Sequence, residues 1–447
     1  MINKVKIKNY KSLVNFTANF GKTTDSGNIA IIYGENGSGK TNFLSAIQAI
    51  ALQTNSLNIR TLIMEEFRDI GDELPEFKNI NELFNIGGSI ESLFSKMITI
   101  GEETGSITLE FVINKKNAEY TLEFNKEGLV RERLYYILNE NRGQLYNIKL
   151  NDKGRIDKTI SPQLSSDKDL SKLIDNQINQ FWGRYSLLSI IDNIVKTRNV
   201  SFWTDGINPN VLDVLNYFDH FFVKNLPGEK SLKTLSARLI ESESLYDLGS
   251  GHLPDSQESR NKLEKAEEIL FNFLSPLFSD IVDVKYKTNL EEDKLEYRLF
   301  ISKIISKKKR EIPLASESSG TKNIIELLPF ISEYIRGGVV LIDEIENAIH
   351  DLLIKDIIES IINLEDVKGQ LIATTHNTMI MEQIDDRNIF VLADDGTSKS
   401  LNQISSYSET RIRANHNVRT RYLDGLYRGV PFTRGIDFDL ISELVDE

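Results

Sequence analysis

The sequence predicts an α/β fold: a parallel-sheet core joined to an antiparallel β subdomain, with an inserted mixed β and helical region and no long coiled coil. Three observations predict it. The apolar run Ile29–Ile32 leads into Gly34–Thr41, written GENGSGKT, and then into an amphipathic segment beginning Asn42, Phe43, Leu44 and Ala46, which reads strand, loop, helix. A second apolar run, Val339–Ile342, ends in two acids, Asp343 and Glu344. Between these runs the periodicity changes from alternation near residue 97 to a mostly helical period from Lys168.

Taken in order, residues 2–20 alternate through Val5, Ile7, Leu13, Phe16 and Phe20, the pattern of two short strands joined by a turn near Asn9 to Ser12. They deliver the chain to the strand Ile29–Tyr33. Residues 42–53 continue as a helix, and 54–95 read as further helical pieces with loops at Gly71 and at Gly87-Gly88. From Ile98 to Phe124 apolar and polar residues alternate across Gly and Asn-Lys turns, and Leu134–Leu138 and Leu145–Leu150 continue the pattern, so an antiparallel sheet is expected. The helical period runs from Lys168 to about Phe222, with Leu170, Leu173, Ile174, Ile178, Phe181 and Trp182 as its buried stripe and a break at Asp205–Pro209. Asp247–Gln257 has the composition of a loop, and 259–276 look helical. Ile281–Tyr286 and Leu295–Ile301 read as strands about the acidic turn Glu291–Asp293. The expected organisation is a first half of the core over 1–95, an antiparallel β region over 96–165, a mainly helical insertion over 166–280, a second half of the core over 281–395, and an arginine-rich tail over 396–447.

The chemistry-bearing residues concentrate at the two core runs. Gly34, Gly37 and Gly39, with Asn36 and Ser38 between them, let the backbone turn its N–H groups inward, while the helix beginning near Lys40 points its positive end at phosphate. Lys40 would reach the β and γ phosphates of a nucleotide, and Thr41 would put its hydroxyl on Mg²⁺. Asp343 is placed to hold Mg²⁺, directly or through its waters, and to accept from Thr41; Glu344 is in position to polarise an attacking water. The strand Gln370–Ala373 ends in Thr374, Thr375, His376 and Asn377, where His376 could reach a γ-phosphate and the catalytic water. His350 opens a helix-side loop, and a functional and a surface role both stay open for it. Ser318, Ser319, Gly320 and Thr321 precede the amphipathic helix through Ile324, Leu328 and Ile331; they offer N–H groups and hydroxyls to an anion, or serve as a plain helix cap.

Composition narrows the function classes. Forty per cent apolar and 27% charged residues are ordinary for a folded domain. Five His and no Cys exclude thiolate metal sites, disulfides and thiol catalysis. The opening MINKVKIKNY has no apolar h-region, and no stretch reaches the ~18 apolar residues of a membrane span, so the expectation is a cytoplasmic protein without a membrane partner. A formal charge of −13 argues against broad coating of nucleic acid but leaves room for a local basic surface. Two basic clusters, Lys303 with Lys307–Arg310, and Arg411, Arg413, Arg419, Arg421, Arg428 and Arg434, suit either solvated faces or a nucleic-acid or acidic partner.

These residues together resemble the ABC-type ATPases of the SMC, RecF and OLD group, and more closely the stand-alone AAA-family ATPases of bacterial anti-phage and abortive-infection operons. The opening Lys4–Leu13 resembles the group's first strand and turn, and GENGSGKT its phosphate loop. The resemblance implies an ABC-ATPase head with a RecA-like core, ATP and Mg²⁺ as cofactors, Ser318–Thr321 as the signature that covers ATP in trans, and Asp343 and Glu344 as the metal-binding and water-activating acids. It makes Glu346, Asn347 and His350 part of the loop facing the partner subunit and His376 the switch histidine; Arg421–Gly425 through Gly429–Pro431 resembles the subfamily's close. Asp351 stands where the family usually has proline, and the Mg²⁺-reporting glutamine has no assignable position. Two heads packed head to tail, as a homodimer or within a larger homo-oligomer, are implied. The chain lacks the heptads of an SMC arm. Asp394 and Asp395 read as a strand-end turn rather than part of a nuclease site, so a nuclease or toxin effector is expected to be a separate chain. The expected function is a sensor or regulator ATPase of a defence system; the alternatives are a RecF-type DNA repair ATPase and a slowly hydrolysing assembly scaffold.

Overall fold

The computed structural model describes residues 1–21, 28–68, 96–137, 141–197, 206–224, 226, 248–291, 294–394, 399–406 and 417–431, with 436, 438 and 441–442. The expected loops at Gly71 and Gly87-Gly88, the acid Asp395 and the arginines Arg411, Arg413 and Arg434 lie outside the described residues. The chain begins with β1 (Ile2–Tyr10), β2 (Leu13–Asn19), β3 (Ile29–Tyr33) and α1 (Lys40–Arg68). Five antiparallel strands follow: β4 (Thr104–Ile113), β5 (Lys116–Asn125), β6 (Gly128–Ile137), β7 (Arg142–Leu150) and β8 (Ile156–Ile160). Then come α2 (Lys168–Phe181), α3 (Leu187–Thr197), α4 (Pro209–Asp219) and β9 (Phe221–Lys224). A smaller group comprises β10 (Ser250–Pro254), α5 (Gln257–Leu274), β11 (Ile281–Glu291), β12 (Lys294–Ile305) and β13 (Lys308–Pro313). The chain returns through α6 (Ser319–Arg336), β14 (Val339–Ile342), α7 (Asp351–Ile362), β15 (Gln370–Thr374), β16 (Ile389–Asp394), β17 (Lys399–Gln403) and α8 (Val418–Leu423).

The α/β class is borne out. Among the described residues one sheet of 13 strands runs β8-β7-β6-β5-β4-β1-β2-β17-β16-β3-β15-β14-β9. Its β16-β3-β15-β14-β9 end is parallel, and its β8-to-β2 end is antiparallel. The β region after residue 97 therefore continues the core sheet through the β1–β4 pairing. Strands β10 to β13 form a separate antiparallel sheet with α5 packed on β11. The described helices include no coiled-coil arm; the longest, α1, has 29 residues.

Strands covered on both faces need continuous apolar sequence rather than alternation. In β3, Ala30 and Ile32 enter the core on the α1 side, whereas Ile29, Ile31 and Tyr33 enter the core built with α6 and α7. Strand β14 divides in the same way, with Val339 and Leu341 on one side and Val340 and Ile342 on the other. Each buried Val, Leu or Ile among them contributes about 1.5–3 kcal/mol, so these two strands anchor the layers that hold the candidate site.

Three expectations change. The helical pieces expected over 54–95 begin as one continuous helix, α1, which runs to Arg68. The helical stretch expected to about Phe222 ends at Asp219, and Phe221–Lys224 is a core strand parallel to β14. A run of four apolar or long side chains is too short for its period to distinguish the two. The expected loop Asp247–Gln257 contains β10, whose alternating partial burial comes from pairing with β12 rather than from its own composition.

The antiparallel end of the sheet is joined to α3 by a buried acid. Glu132 on β6 is fully buried and accepts from Tyr120 Oη at 2.9 Å, Tyr146 Oη at 2.8 Å, Trp182 Nε1 at 2.8 Å and the Leu187 N–H at 2.7 Å. Burial raises its pKa, against the opposing pull of those bonds, beginning with Leu187. Helix α3 is in turn bonded to α1: Leu57 N–H donates to Ser189 Oγ at 2.8 Å and Ser186 Oγ to Gln53 O at 3.0 Å.

Candidate functional site

The candidate site forms where β3, β14 and β15 end at their carboxyl edges, the place in an open parallel sheet where loops diverge and leave a crevice. After β3 the chain turns through Gly34–Gly39 into α1. Gly37 and Gly39 have φ of 78° and 113°, the left-handed region that side chains resist. A Cβ on Gly39 would also sit 3.0 Å from Leu13 Cδ2 and 3.2 Å from Ser12 Oγ, so the turn between β1 and β2 packs directly under the loop. This ties the opening Lys4–Leu13 segment to Gly34–Thr41.

Lys40 is buried, and its ammonium donates to Gly34 O at 2.7 Å and Glu35 O at 3.0 Å, two of the three bonds a lysine can give. Burial lowers its pKa, while Asp343, Glu344, Glu346 and Glu35 pull it upward. Ser38 Oγ is buried without a partner, an orphan polar atom within the loop.

Thr41 Oγ1 donates to Asp343 Oδ2 at 2.6 Å. The other carboxylate oxygen, Oδ1, accepts from Thr374 Oγ1 at 2.5 Å. Thr374 is fully buried and also accepts the Glu344 N–H at 2.8 Å, so one hydroxyl orients both acids. Glu344 has φ of 48°, an uncommon conformation for a residue with a side chain, and its side chain is exposed. The donor set of one hydroxyl and one carboxylate is hard oxygen, which fits Mg²⁺ completed by phosphate oxygens and water. Among the described residues no group of three or more His, Asp or Glu forms a metal cluster, and a phosphate-shared Mg²⁺ does not require one.

His376 lies two residues past the end of β15 and is exposed. Desolvation, then the Lys40 charge, holds its imidazole below the usual value, opposed by Glu346, Glu344 and Asp343. Lys40, Thr41, Asp343, Glu344 and His376 thus lie within hydrogen-bonding or electrostatic reach of one another at this edge of the sheet. Ser318–Thr321 lie elsewhere: Ser318 and Ser319 are exposed while Thr321 is buried, Ser318 caps α6 by accepting the Thr321 N–H at 3.1 Å, and a Cβ on Gly320 would meet Ala348 O at 2.9 Å. Asn323 donates to Asn347 O at 2.8 Å. The start of α6 therefore abuts the loop 344–350, with no hydrogen bond to Gly34–Thr41 among the described residues. Asn347 and His350 are exposed on that loop, and His350 caps α7 by accepting the Leu352 N–H at 3.2 Å. Glu346 turns inward and accepts the His376 N–H at 2.6 Å. Asp351 Oδ1 accepts from Asn377 Nδ2 at 3.0 Å.

The tail packs beside the same group of residues. Tyr422 packs on Tyr33 at 5.6 Å between ring centres and donates to Gly429 O at 2.8 Å. Arg419 donates to Thr378 Oγ1 at 3.0 Å and pairs with Glu382 at 3.2 Å. In the other basic cluster, Lys303 pairs with Glu317 at 2.8 Å and Lys309 with Asp283 at 3.3 Å, while Lys308 and Arg310 are exposed on β13. Thr374 and the strand β9, whose Lys224 O accepts the Asp343 N–H at 3.1 Å, escaped the sequence reading. The Thr374-Thr375-His376 run at a strand end was the available signal for Thr374.

Comparison with known proteins gives one family match, over residues 29–382, to the model described as "AAA domain, putative AbiEii toxin, Type IV TA system". No curated protein matches the chain. Similar solved structures include the SMC head domain from Thermotoga maritima, at 14% identity and a TM-score of 0.39, covering 90% of this chain and 98% of that one. Another is an SmcHead bound to the C-winged helix domain of ScpA, at 14% identity and a TM-score of 0.42, covering 90% and 97%. An Smc head with an extended coiled coil bound to the C-terminal domain of ScpA, derived from Pyrococcus furiosus, matches at 14% identity with a TM-score of 0.39, covering 90% and 95%.

Proposed function

The chain belongs to the AAA-domain family matched over residues 29–382, and on that premise we propose that it is the Mg²⁺-dependent ATPase head of a bacterial anti-phage system. It acts as the sensor or regulator, controlling a separately encoded nuclease or toxin through ATP-dependent dimerisation of heads. The family description, which names a putative AbiEii toxin, supports the defence setting. The single observation that carries the catalytic reading is Asp343, held by Thr41 at 2.6 Å and Thr374 at 2.5 Å beside the buried Lys40.

In this mechanism the N–H groups of Gly34–Gly39 and the start of α1 bind the triphosphate, and Lys40 neutralises its β and γ oxygens. Mg²⁺, held by Thr41 and Asp343, supplies charge neutralisation at the phosphate oxygens when bound. Glu344 orients the attacking water and accepts its proton. His376, kept neutral at pH 7 by its lowered pKa, donates a hydrogen bond toward the γ-phosphate. Ser318–Thr321 of one copy cover the nucleotide of the other, with Asn347 and His350 at the junction.

The test is Glu344→Gln. It should bind ATP, lose about 10²-fold or more of kcat, and run as a dimer by light scattering in ATP but not in ADP. Hydrolysis by this variant at the parental rate would remove Glu344 as the base, and a monomer in saturating ATP would remove head dimerisation. Turnover of the parental chain with and without its co-purifying effector separates a regulator, whose rate responds, from a scaffold, whose rate does not.

A further inference from the structure

We infer that Glu346 is a positioning residue for His376, acting inside its own chain through the histidine's backbone. The inference rests on the ATPase reading and deepens it. It starts from the N–H groups at the end of β15. Thr375 N–H donates to Ile32 O at 3.1 Å, within the frame of the sheet, and Asn377 N–H to Thr375 Oγ1 at 3.0 Å, within the turn itself. His376 lies between them, and its N–H goes instead to a carboxylate on the loop that follows Asp343 and Glu344, Glu346 Oε1, at 2.6 Å. A charged acceptor at that length makes the strongest class of such a bond.

The segments that carry these two loops meet at further points besides the Thr374–Asp343 bond. Glu344 N–H reaches Thr374 Oγ1 at 2.8 Å, Ile345 N–H reaches Thr374 O at 3.0 Å, and Asn377 Nδ2 reaches Asp351 Oδ1 at 3.0 Å. The loop carrying the base is thereby laced to the loop carrying the histidine, and Glu346 is the rung that falls on His376 itself. Its second oxygen, Oε2, is buried without a partner. The Oε1 bond to the His376 N–H is therefore the hydrogen bond that this carboxylate makes, with the Lys40 ammonium as a charge in its surroundings. Reach and acceptor character, not negative charge alone, are what the His376 N–H requires.

The test compares Glu346→Gln, Glu346→Asp and Glu346→Ala. Gln keeps a carbonyl oxygen at the same reach; Asp keeps the charge but falls short by one methylene; Ala removes both. The expected result is kcat within about threefold of the parent for Gln, and at least 10-fold lower for Asp and Ala, with the KM for ATP within about twofold throughout. On a His376→Ala background, Glu346→Ala should cause no further loss of kcat, because it acts through that histidine. Parental kcat in Glu346→Ala, rescue by Asp rather than Gln, a loss confined to KM, or an undiminished loss on the His376→Ala background each overturns the assignment. If Ala fails to fold, the order of Gln and Asp still decides. A parental chain whose phosphate release is not abolished by Lys40→Ala sinks the ATPase reading itself, whereas an indifferent Glu346 beside a working Lys40 control sinks this inference alone.

Discussion

Replacing Thr374 with Val tests how the two acids of the site are held. Valine preserves the branching and about the volume of this fully buried side chain while putting a methyl where the hydroxyl was, so the substitution tests the hydroxyl's bonds. That hydroxyl gives a 2.5 Å bond to Asp343 Oδ1 and takes a 2.8 Å bond from the Glu344 N–H. A hydrogen bond to a carboxylate is worth about 1.5–3 kcal/mol, and one from a backbone amide about 1 kcal/mol. Their sum puts Thr374→Val about 3 kcal/mol below the parent, whereas Thr374→Ser keeps the hydroxyl and loses one methyl, about 1 kcal/mol. Urea denaturation of the ligand-free protein measures the difference as a shift in midpoint at unchanged slope. Because Thr374 orients Asp343, Val should also raise the Mg²⁺ concentration needed for half-maximal ATPase, and Ser should not. If Val lies within 1 kcal/mol of the parent, or if Ser and Val fall together, the hydroxyl is not what orients these acids.

The remaining predictions address the wing, the histidine and the basic surface. Glu132→Ala should cost about 3–5 kcal/mol, because it opens a cavity and strands the donors from Tyr120, Tyr146, Trp182 and Leu187; a melting temperature near the parental one would show that α3 is held in another way. His376 has a lowered pKa and works neutral, so ATPase should be flat above pH 7 and fall only as acidity protonates it, below the ordinary imidazole range. A His376→Asn variant should lose that acid limb, and a limb that persists would belong to another group. DNA binding measured from 50 to 200 mM salt should show no steep slope, since Lys303, Lys309 and Arg419 are each paired with a carboxylate of the same chain; a loss of affinity of 10³-fold or more would favour the repair-type reading.

What could be read from the sequence follows from how local each feature is. Gly34–Thr41 carries its whole geometry within eight consecutive residues, and β14 announces itself as an apolar run that stops at two acids, so both were visible without any knowledge of neighbours. Strand β9 was not, because Phe221–Lys224 becomes a strand only by lying beside β14, and nothing within four residues records that neighbour. The arginines of the tail suited either a solvated face or a partner surface, yet Arg419 is committed to Thr378 and Glu382, residues about 40 positions away that folding brings together. Glu346 makes the same point at the site itself. The resemblance places it in a loop facing a second subunit; within its own chain the parallel pairing of β14 with β15 sets the two strand ends side by side, and its carboxylate accepts the His376 N–H. The composition of the site could be read along the chain, whereas its rigidity depends on bonds between strand ends that only the sheet order makes adjacent.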